Sequence, residues 1–214
     1  EPMEVRRIWD EAPHNGFTDL VFHLDRWWCI LREATSHPAR DGTLRVITSA
    51  DGDAWESAAQ LKIGIEDLRH PKLVVTPKGE FMASAACELL HAKTHSLESY
   101  VWFSNDGRKW SDAIRVCDPN YLLWRVTWHE GLCYGIAYDR GEAKNIRLYQ
   151  SLDGRHFDAL VENLYDVGYP NQNSIVFLPD NTALCLVRRD SEPANGLLGI
   201  SRPPYREWEW KDIG

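Results

Sequence analysis

Short apolar runs separated by turn residues follow one another along the whole chain. The runs are rich in β-branched and aromatic residues, which is typical of strands that pack in sheets. No segment has the apolar spacing of an amphipathic helix. The pattern therefore predicts an all-β fold.

The runs fall into four repeats, each with strands A, B, C and D. Strand A is predicted at 20–24, 73–76, 126–128 and 174–178. Strand B is predicted at 27–31, 81–87, 133–138 and 183–188. Strand C is predicted at 44–48, 100–103, 146–149 and 197–200, and strand D leaves the turn that follows it. We predict one domain over 1–214, with blades at 18–63, 70–116, 124–163 and 171–212 and a possible closing strand at 3–9.

The turn between strands C and D is a repeated motif, Ser-x-Asp-Gly-x-x-aromatic. Its copies are SADGDAW at 49–55, SNDGRKW at 104–110 and SLDGRHF at 151–157, with a degenerate SRPPYREW at 201–208. Glycine supplies a positive φ, and the Ser and Asp side chains can bind nearby backbone amides. A period of about 50 residues is typical of a β-propeller. We predict a structural rather than catalytic role for these aspartates.

An antiparallel meander separates two ends of such a propeller. The A–B and C–D turns lie at one end, and the B–C and D–A loops lie at the other. The second end has the long loops 33–43, 88–99, 139–145 and 189–196. Because binding and catalysis are concentrated on loops held by a rigid scaffold, the long-loop end is the predicted functional face.

Arginines recur at the long-loop end and suit recognition of an acidic group, since a guanidinium offers a planar bidentate fork. Each one could instead pair with a local carboxylate. The predicted substrate-binding residues are Arg32, His37, Arg69, His70, Arg125, Asn171, Gln172 and Arg188.

Carboxylates at the same end suit glycoside hydrolysis, which commonly uses two of them. Asp19 is a candidate, and the sequence does not say which two would form the pair. A salt-bridge role is the alternative for each of them. The predicted catalytic residues are Glu33, Asp67, Glu88, Tyr138 and Asp139.

The turn motifs resemble the Asp-box (BNR) repeats of bacterial sialidase-like propellers of the neuraminidase superfamily. The segments 12–20, 31–37, 67–73 and 170–172 add to this resemblance. It implies a glycoside hydrolase in which arginines hold the substrate carboxylate and a Tyr–Glu pair and an Asp do the chemistry. Such propellers have six blades. Four repeats therefore lead us to expect a propeller that is incomplete at its C-terminus, or a piece of a longer protein.

Two functions stay open at this point. The first is a sialidase-like hydrolase acting on an acidic or polar glycan. The second is a non-catalytic carbohydrate-binding or scaffolding propeller. The second is kept open because RRIW at 6–9 lacks the Phe/Tyr-Arg-Ile-Pro motif of sialidases, and because Gln172 stands where an acidic residue would be chemically more useful.

Composition limits the classes of binding partner that the chain can have. A net charge of −8 without a basic run argues against nucleic acid, and no apolar stretch is long enough to span a membrane. The five cysteines have no CxxC spacing, so we predict no metal site and no cofactor. The expected partner is a glycan. The resemblance implies an extracytoplasmic location, periplasmic or secreted, and the sequence does not give the oligomeric state.

Overall fold

Residues 4–214, which the computed structural model describes, form sixteen strands in four antiparallel sheets. The first sheet contains β1 (His14–His23), β2 (Arg26–Ala34), β3 (Thr43–Ser49) and β4 (Glu56–Leu61). The second contains β5 (Asp67–Val75), β6 (Phe81–Glu88), β7 (Leu97–Ser104) and β8 (Ile114–Val116). The third contains β9 (Tyr121–His129), β10 (Leu132–Asp139), β11 (Ile146–Ser151) and β12 (Asp158–Tyr165). The fourth contains β13 (Pro170–Phe177), β14 (Ala183–Arg189), β15 (Leu197–Ser201) and β16 (Trp208–Asp212).

Each sheet is a meander in which neighbouring strands are also neighbours in sequence. This arrangement confirms the predicted all-β fold of four-stranded propeller blades. The prediction of a single domain with the blade bounds given above stays a prediction.

Apolar side chains fill the space between successive sheets. Trp28 and Ile30 of the first sheet pack with Phe81 of the second. The second and third sheets meet through a cluster that contains Met82 and Leu123. The third and fourth sheets meet through Tyr134, Ile136, Ile175 and Cys185. This burial is the main stabilising contribution to the stack of sheets.

The innermost strands β1, β5, β9 and β13 contact one another in sequence order, and we call the space that they line the central channel. Among the described residues, no strand packing of comparable extent joins the fourth sheet to the first. Both sheets keep apolar side chains exposed, among them Leu20 and Phe22 of β1 and Val176 and Leu186 of the fourth sheet.

The start of the chain differs from the prediction. Residues 4–9 form no strand, and residue 3 of the predicted closing strand 3–9 lies outside the described residues. Trp9 instead packs beside Cys29, Leu31 and Ile47. Its indole Nε1 also donates a hydrogen bond to Glu33 Oε1 at 2.8 Å.

The innermost strands begin earlier than predicted. The sequence predicts strand A at 20–24 and 73–76, but β1 starts at His14 and β5 starts at Asp67. The additional residues are mostly polar and lack a clean apolar alternation. Their pattern therefore indicates loops, although they pair with β2 and β6.

The repeated turns are held by their own side chains. Asp51 Oδ1 accepts hydrogen bonds from the amides of Asp53 and Ala54 at 2.8 and 2.9 Å, and Trp55 Nε1 donates to the Gly52 carbonyl oxygen at 2.9 Å. The turns at 104–110 and 151–157 repeat the carboxylate contacts. These hydrogen bonds are those that the predicted structural role of the turns requires.

The strand register separates two ends of the channel. Pairing of Trp27 with Ser49 puts the repeated turns at one end, called the turn end. Pairing of Glu33 with Thr43 puts the long loops at the opposite, long-loop end. Residues 4–214 contain no helix that is long and apolar enough to cross a membrane.

Candidate functional site

A β-bulge interrupts each innermost strand at the same depth near the long-loop end. In each bulge, two residues of the inner strand face one residue of its partner. The bulged pairs are 17–18, 70–71, 124–125 and 171–172. Bulges are common beside functional sites, because they change the direction of side chains locally. The register makes Phe17, His70, Trp124 and Asn171 equivalent positions of the four sheets.

Three of these equivalent residues form an aromatic row across the first three sheets. The ring centroids of Phe17 and His70 are 4.4 Å apart, and those of His70 and Trp124 are 5.2 Å apart. Phe17 and His70 have φ values of 56° and 53°. Non-glycine residues rarely adopt this conformation, and it is found mostly where the surrounding structure enforces it. The rings of Phe17 and His70 are therefore held in place by a strained backbone.

Three charged side chains lie beside this row. Asp19 Oδ1 accepts a hydrogen bond from Arg125 Nη2 at 2.7 Å, and its Oδ2 accepts one from the amide of Leu73 at 2.9 Å. Lys72 Nζ lies 4.4 Å from the centroid of the Trp124 ring. Burial lowers the pKa of Lys72 to about 8, and Asp19 opposes that shift. These residues and the aromatic row are together called the channel mouth: Phe17, Asp19, His70, Lys72, Trp124 and Arg125.

Unpaired polar atoms are also found here. His70 Nδ1, His14 Nε2 and Asn173 Oδ1 are buried without a hydrogen-bond partner among the described residues. Burial and the nearby cation of Lys72 lower the pKa of His70 to about 4, so the ring is neutral at neutral pH. A buried polar atom without a partner costs about 1–3 kcal/mol, and a ligand or water usually supplies the missing bond.

Arg32 and Asp67 form a fully buried ion pair with Nη2 to Oδ1 at 2.9 Å. Arg32 also donates to the carbonyl oxygens of Leu68 and Ala39 at 3.1 and 2.6 Å. The pair ties the loop after β2 to β5. Gly42 of this loop must lack a side chain, since a Cβ there would lie 2.3 Å from Arg32 Nε. No atom of Arg32 or Asp67 is exposed to a ligand.

A cavity of about 340 Å³ opens beside this pair, and its walls carry three arginines and one carboxylate. Arg69 is fixed by Asp67 Oδ2 at 2.7 Å from its Nε. Glu88 Oε1 lies 3.4 Å from the same Nε, and Glu88 Oε2 lies 3.8 Å from Arg40 Nε. The third arginine of the wall is Arg140. Glu88 is therefore a carboxylate that a ligand in this cavity can reach.

Three other predicted catalytic residues make local contacts. Glu33 accepts hydrogen bonds from Trp9 Nε1 and from Arg45 Nε at 3.1 Å. The carboxylate of Asp139 accepts from the amides of Gly141 and Lys144 at 2.9 and 3.0 Å, which closes its own loop. Tyr138 is buried, and burial raises the pKa of its hydroxyl.

The predicted binding residues of the fourth sheet lie apart from the arginine cavity. Gln172 and Arg188 line a groove of about 470 Å³ together with Trp124. Arg188 also forms an ion pair with Asp190 at 2.7 Å. Asn171 is buried, and its side-chain amide donates to the Tyr169 carbonyl oxygen at 3.1 Å.

His37 is exposed on the long loop of the first sheet. Its ring centroid lies 5.4 Å from that of Phe17, at the edge of the aromatic row. The structure thus brings Arg69, His70 and Arg125 to the channel mouth or the adjacent cavity, and it keeps Arg32 and Asp67 behind them. The functional roles of the predicted residues stay predictions.

Sequence reasoning missed several residues of this site. Lys72 and Trp124 belong to bulged strand segments that have no clear alternation. Arg40 and Arg140 belong to the long loops 33–43 and 139–145, which the sequence does place at this end. A position-by-position comparison of the four repeats points to Phe17, since it is equivalent to His70. Among the described residues, no group of three or more His, Cys, Asp or Glu side chains is placed to hold a metal ion.

Comparison with known proteins gives the fold but no close relative. No protein-family model matches the sequence, and no curated protein matches it. A family 93 α-L-arabinofuranosidase from Fusarium graminearum, solved with arabinobiose, is similar at 16% identity and a TM-score of 0.73, covering 94% of this chain and 67% of that chain. A protein of unknown function from Dyadobacter fermentans is similar at 15% identity and a TM-score of 0.76, covering 94% of this chain and 69% of that chain.

A family 43 β-1,3-galactosidase is also similar, at 12% identity and a TM-score of 0.67 over 94% of this chain and 77% of that chain. These two similar enzymes are thus an arabinofuranosidase and a galactosidase, and not the sialidases that the sequence led us to expect. The chain therefore has the β-propeller fold that these glycoside hydrolases share.

Proposed function

We propose that this chain binds an acidic or polar glycan at the channel mouth and acts on it as a glycoside hydrolase. The observation that carries the proposal is the aromatic row of Phe17, His70 and Trp124 beside the cations Lys72 and Arg125. Aromatic faces suit the apolar face of a sugar ring, and a few fixed polar groups set its orientation. The propeller glycoside hydrolases with the same fold support the assignment.

Glu88 and Asp19 are the carboxylates that we assign to the reaction. Glu88 reaches a cavity, and Asp19 lies in the channel mouth. The carboxylates of Glu33, Asp67 and Asp139 do not line this cavity and do not belong to the channel mouth. Glycoside hydrolysis needs one carboxylate that stabilises or attacks the sugar carbon and one that transfers a proton.

A non-catalytic glycan-binding propeller is the second candidate, and a specific observation favours it. Both assigned carboxylates lie beside arginines: Asp19 beside Arg125, and Glu88 beside Arg69. A carboxylate that forms an ion pair with a fixed arginine can serve to hold that arginine for ligand binding without taking part in a reaction.

A panel of 4-methylumbelliferyl glycosides tests hydrolysis, and calorimetry with the free sugars tests binding. The panel includes arabinofuranoside, galactoside, glucuronide and the sialoside that the sialidase resemblance suggests. We expect turnover of at least one glycoside, with loss of turnover by about 100-fold or more in Glu88→Gln. Glu142→Gln, exposed on a loop of the same end, is the matched control and should keep full activity.

Binding is tested separately with Trp124→Ala, which should weaken sugar affinity about 10-fold or more. Trp27→Ala at the turn end is the control and should leave affinity unchanged. Binding without turnover of any glycoside would favour the non-catalytic candidate. Equal sugar affinities of the Trp124→Ala and Trp27→Ala variants would contradict sugar binding at the channel mouth.

A further inference from the structure

Lys72 is a buried cation without a carboxylate partner. Its residue is 7% exposed, and its Nζ donates to the Pro71 carbonyl oxygen at 3.1 Å. Among the described residues, no carboxylate forms an ion pair with this Nζ, whereas the Asp19 carboxylate is bound by Arg125 and by the Leu73 amide. Buried charges are normally paired, because removing a charge from water is costly. Folding alone therefore gives no reason for an ammonium group here.

The charges around Lys72 do not balance. Asp19 faces it from β1 and Arg125 faces it from β9, while His70 and Arg69 lie on its own strand, β5. His70 is neutral at neutral pH, and Arg69 is already paired with Asp67. Two cations, Lys72 and Arg125, are thus set against one carboxylate, Asp19. The channel mouth is locally positive in a chain whose net charge is −8.

We propose that Lys72 makes the channel mouth selective for a glycan that carries an anionic group, a carboxylate or a sulfate, over its neutral counterpart. The inference rests on the proposed glycan binding. Lys72 acts through its charge and through the indole of Trp124, over whose ring its ammonium lies. Charge interactions are stronger in a partly buried site than in open water, so one unpaired ammonium favours an anionic ligand.

The pH dependence distinguishes Lys72 from the arginines around it. The pKa of Lys72 is lowered to about 8 by burial, so its charge is lost as pH rises above that value. Arginines keep their charge over the same range. Preference for the anionic ligand should therefore decrease between about pH 7 and about pH 9.5, and affinity for a neutral ligand should not follow that change.

The experiment uses matched sugar pairs: methyl glucuronide with methyl glucoside, and methyl galacturonide with methyl galactoside. Calorimetry at about pH 7 and at about pH 9.5 gives the ratio of the two affinities within each pair. We expect the acidic member to bind about 10-fold more tightly. Lys72→Met should lower this ratio about fivefold or more, and Lys72→Arg should keep it at both pH values.

Lys144→Met is the matched control, because Lys144 Nζ also lies over an aromatic ring at this end, 4.7 Å from the centroid of Tyr169. The control should leave the ratio unchanged. Methionine is close to lysine in length and removes a buried charge, so the variant should fold; circular dichroism checks this. If Lys72→Met does not fold, the test is the pH dependence of the affinity ratio, compared between the unmodified protein and Lys72→Arg.

The inference is overturned if sugars bind but Lys72→Met keeps the ratio, or if the ratio of the original protein follows the same pH profile as that of Lys72→Arg. Either result leaves glycan binding intact. If neither member of any pair binds and the free sugars of the glycoside panel do not bind either, the proposed function is contradicted and the inference falls with it.

Discussion

The two ends of the channel differ in how far the four sheets repeat the same residues. At the turn end, the same motif recurs, and Asp106 Oδ1 accepts the amides of Arg108 and Lys109 as its counterparts do in their own turns. At the long-loop end, equivalent positions hold a phenylalanine, a histidine, a tryptophan and an asparagine. Repetition at the turn end stabilises the first three sheets through the same turn, whereas the fourth sheet has the degenerate copy at 201–208. Variation at the long-loop end gives the four sheets different side chains at equivalent positions, as the proposed binding site needs.

The largest expected effect is a loss of folding stability on substitution of a glycine at the turn end. Gly107 has a φ of +69°, and a Cβ there would lie 2.3 Å from the Trp28 ring of the preceding sheet. Gly107→Ala therefore adds overpacking to backbone strain, and we expect it to lower the free energy of unfolding by about 3 kcal/mol or more. Urea denaturation measures this. Gly79→Ala is the control: its φ is +80°, but a Cβ would meet nothing within 4 Å, so the loss should stay near about 1 kcal/mol. Equal losses would show that the turn glycine does not limit packing between sheets.

A second prediction concerns the long-loop end in acid. The pKa of His70 falls from 6.5 to about 4 because the ring is buried beside cations. Between those values the unfolded chain binds the proton and the folded protein does not, so stability decreases as pH falls from about 6.5 to about 4. The loss should reach about 2–3 kcal/mol. His70→Asn tolerates the positive φ and does not titrate, so its stability should depend less on pH over this range.

Urea denaturation at neutral pH and at about pH 4 measures the difference. His91→Asn, at an exposed loop position, is the control and should show the acid loss of the original protein. A His70→Asn variant that loses as much stability in acid as the control would contradict a buried, neutral His70.

The smallest expected effect tests the structural role of the aspartates at the turn end. Asp106→Ala removes the acceptor of two turn amides, and by analogy with helix caps the loss should be about 1 kcal/mol. Glycan affinity should not change, because the turn lies at the opposite end of the channel. Asp112→Ala, an exposed neighbour, controls for loss of charge. A large drop in glycan affinity in Asp106→Ala would contradict the proposal that the binding site lies at the long-loop end.

The parts of the fold that depend on local pattern were predictable. The outer strands, the turns and the two ends follow from apolar runs, glycine positions and antiparallel pairing. The beginnings of β1 and β5 were not predictable, because a bulge breaks the period of two on which strand prediction depends.

The site was predictable only in part. The sequence predicts that Arg69, His70 and Arg125 lie at the long-loop end, and the structure has them there; their roles stay predictions. The contact between Arg32 and Asp67 joins residues 35 apart in sequence, and nothing local separates such a buried pair from exposed ligand-binding groups. Lys72 follows a proline in an apolar strand, and its burial depends on β1 and β9, which only the folded structure brings beside it.

The four bulges also affect how this site can change. Two residues oppose one in each bulge, so the strand on either side keeps its own inward and outward alternation. Exchanging a side chain at position 17, 70 or 124 alters the chemistry of the channel mouth and leaves the strand pairing intact. Deleting one of the two bulged residues would remove the bulge, while the residues on either side keep their partners and their faces. The side chains that the bulges present can therefore change, by substitution or by loss of a bulge, without altering the pairing of the sheets.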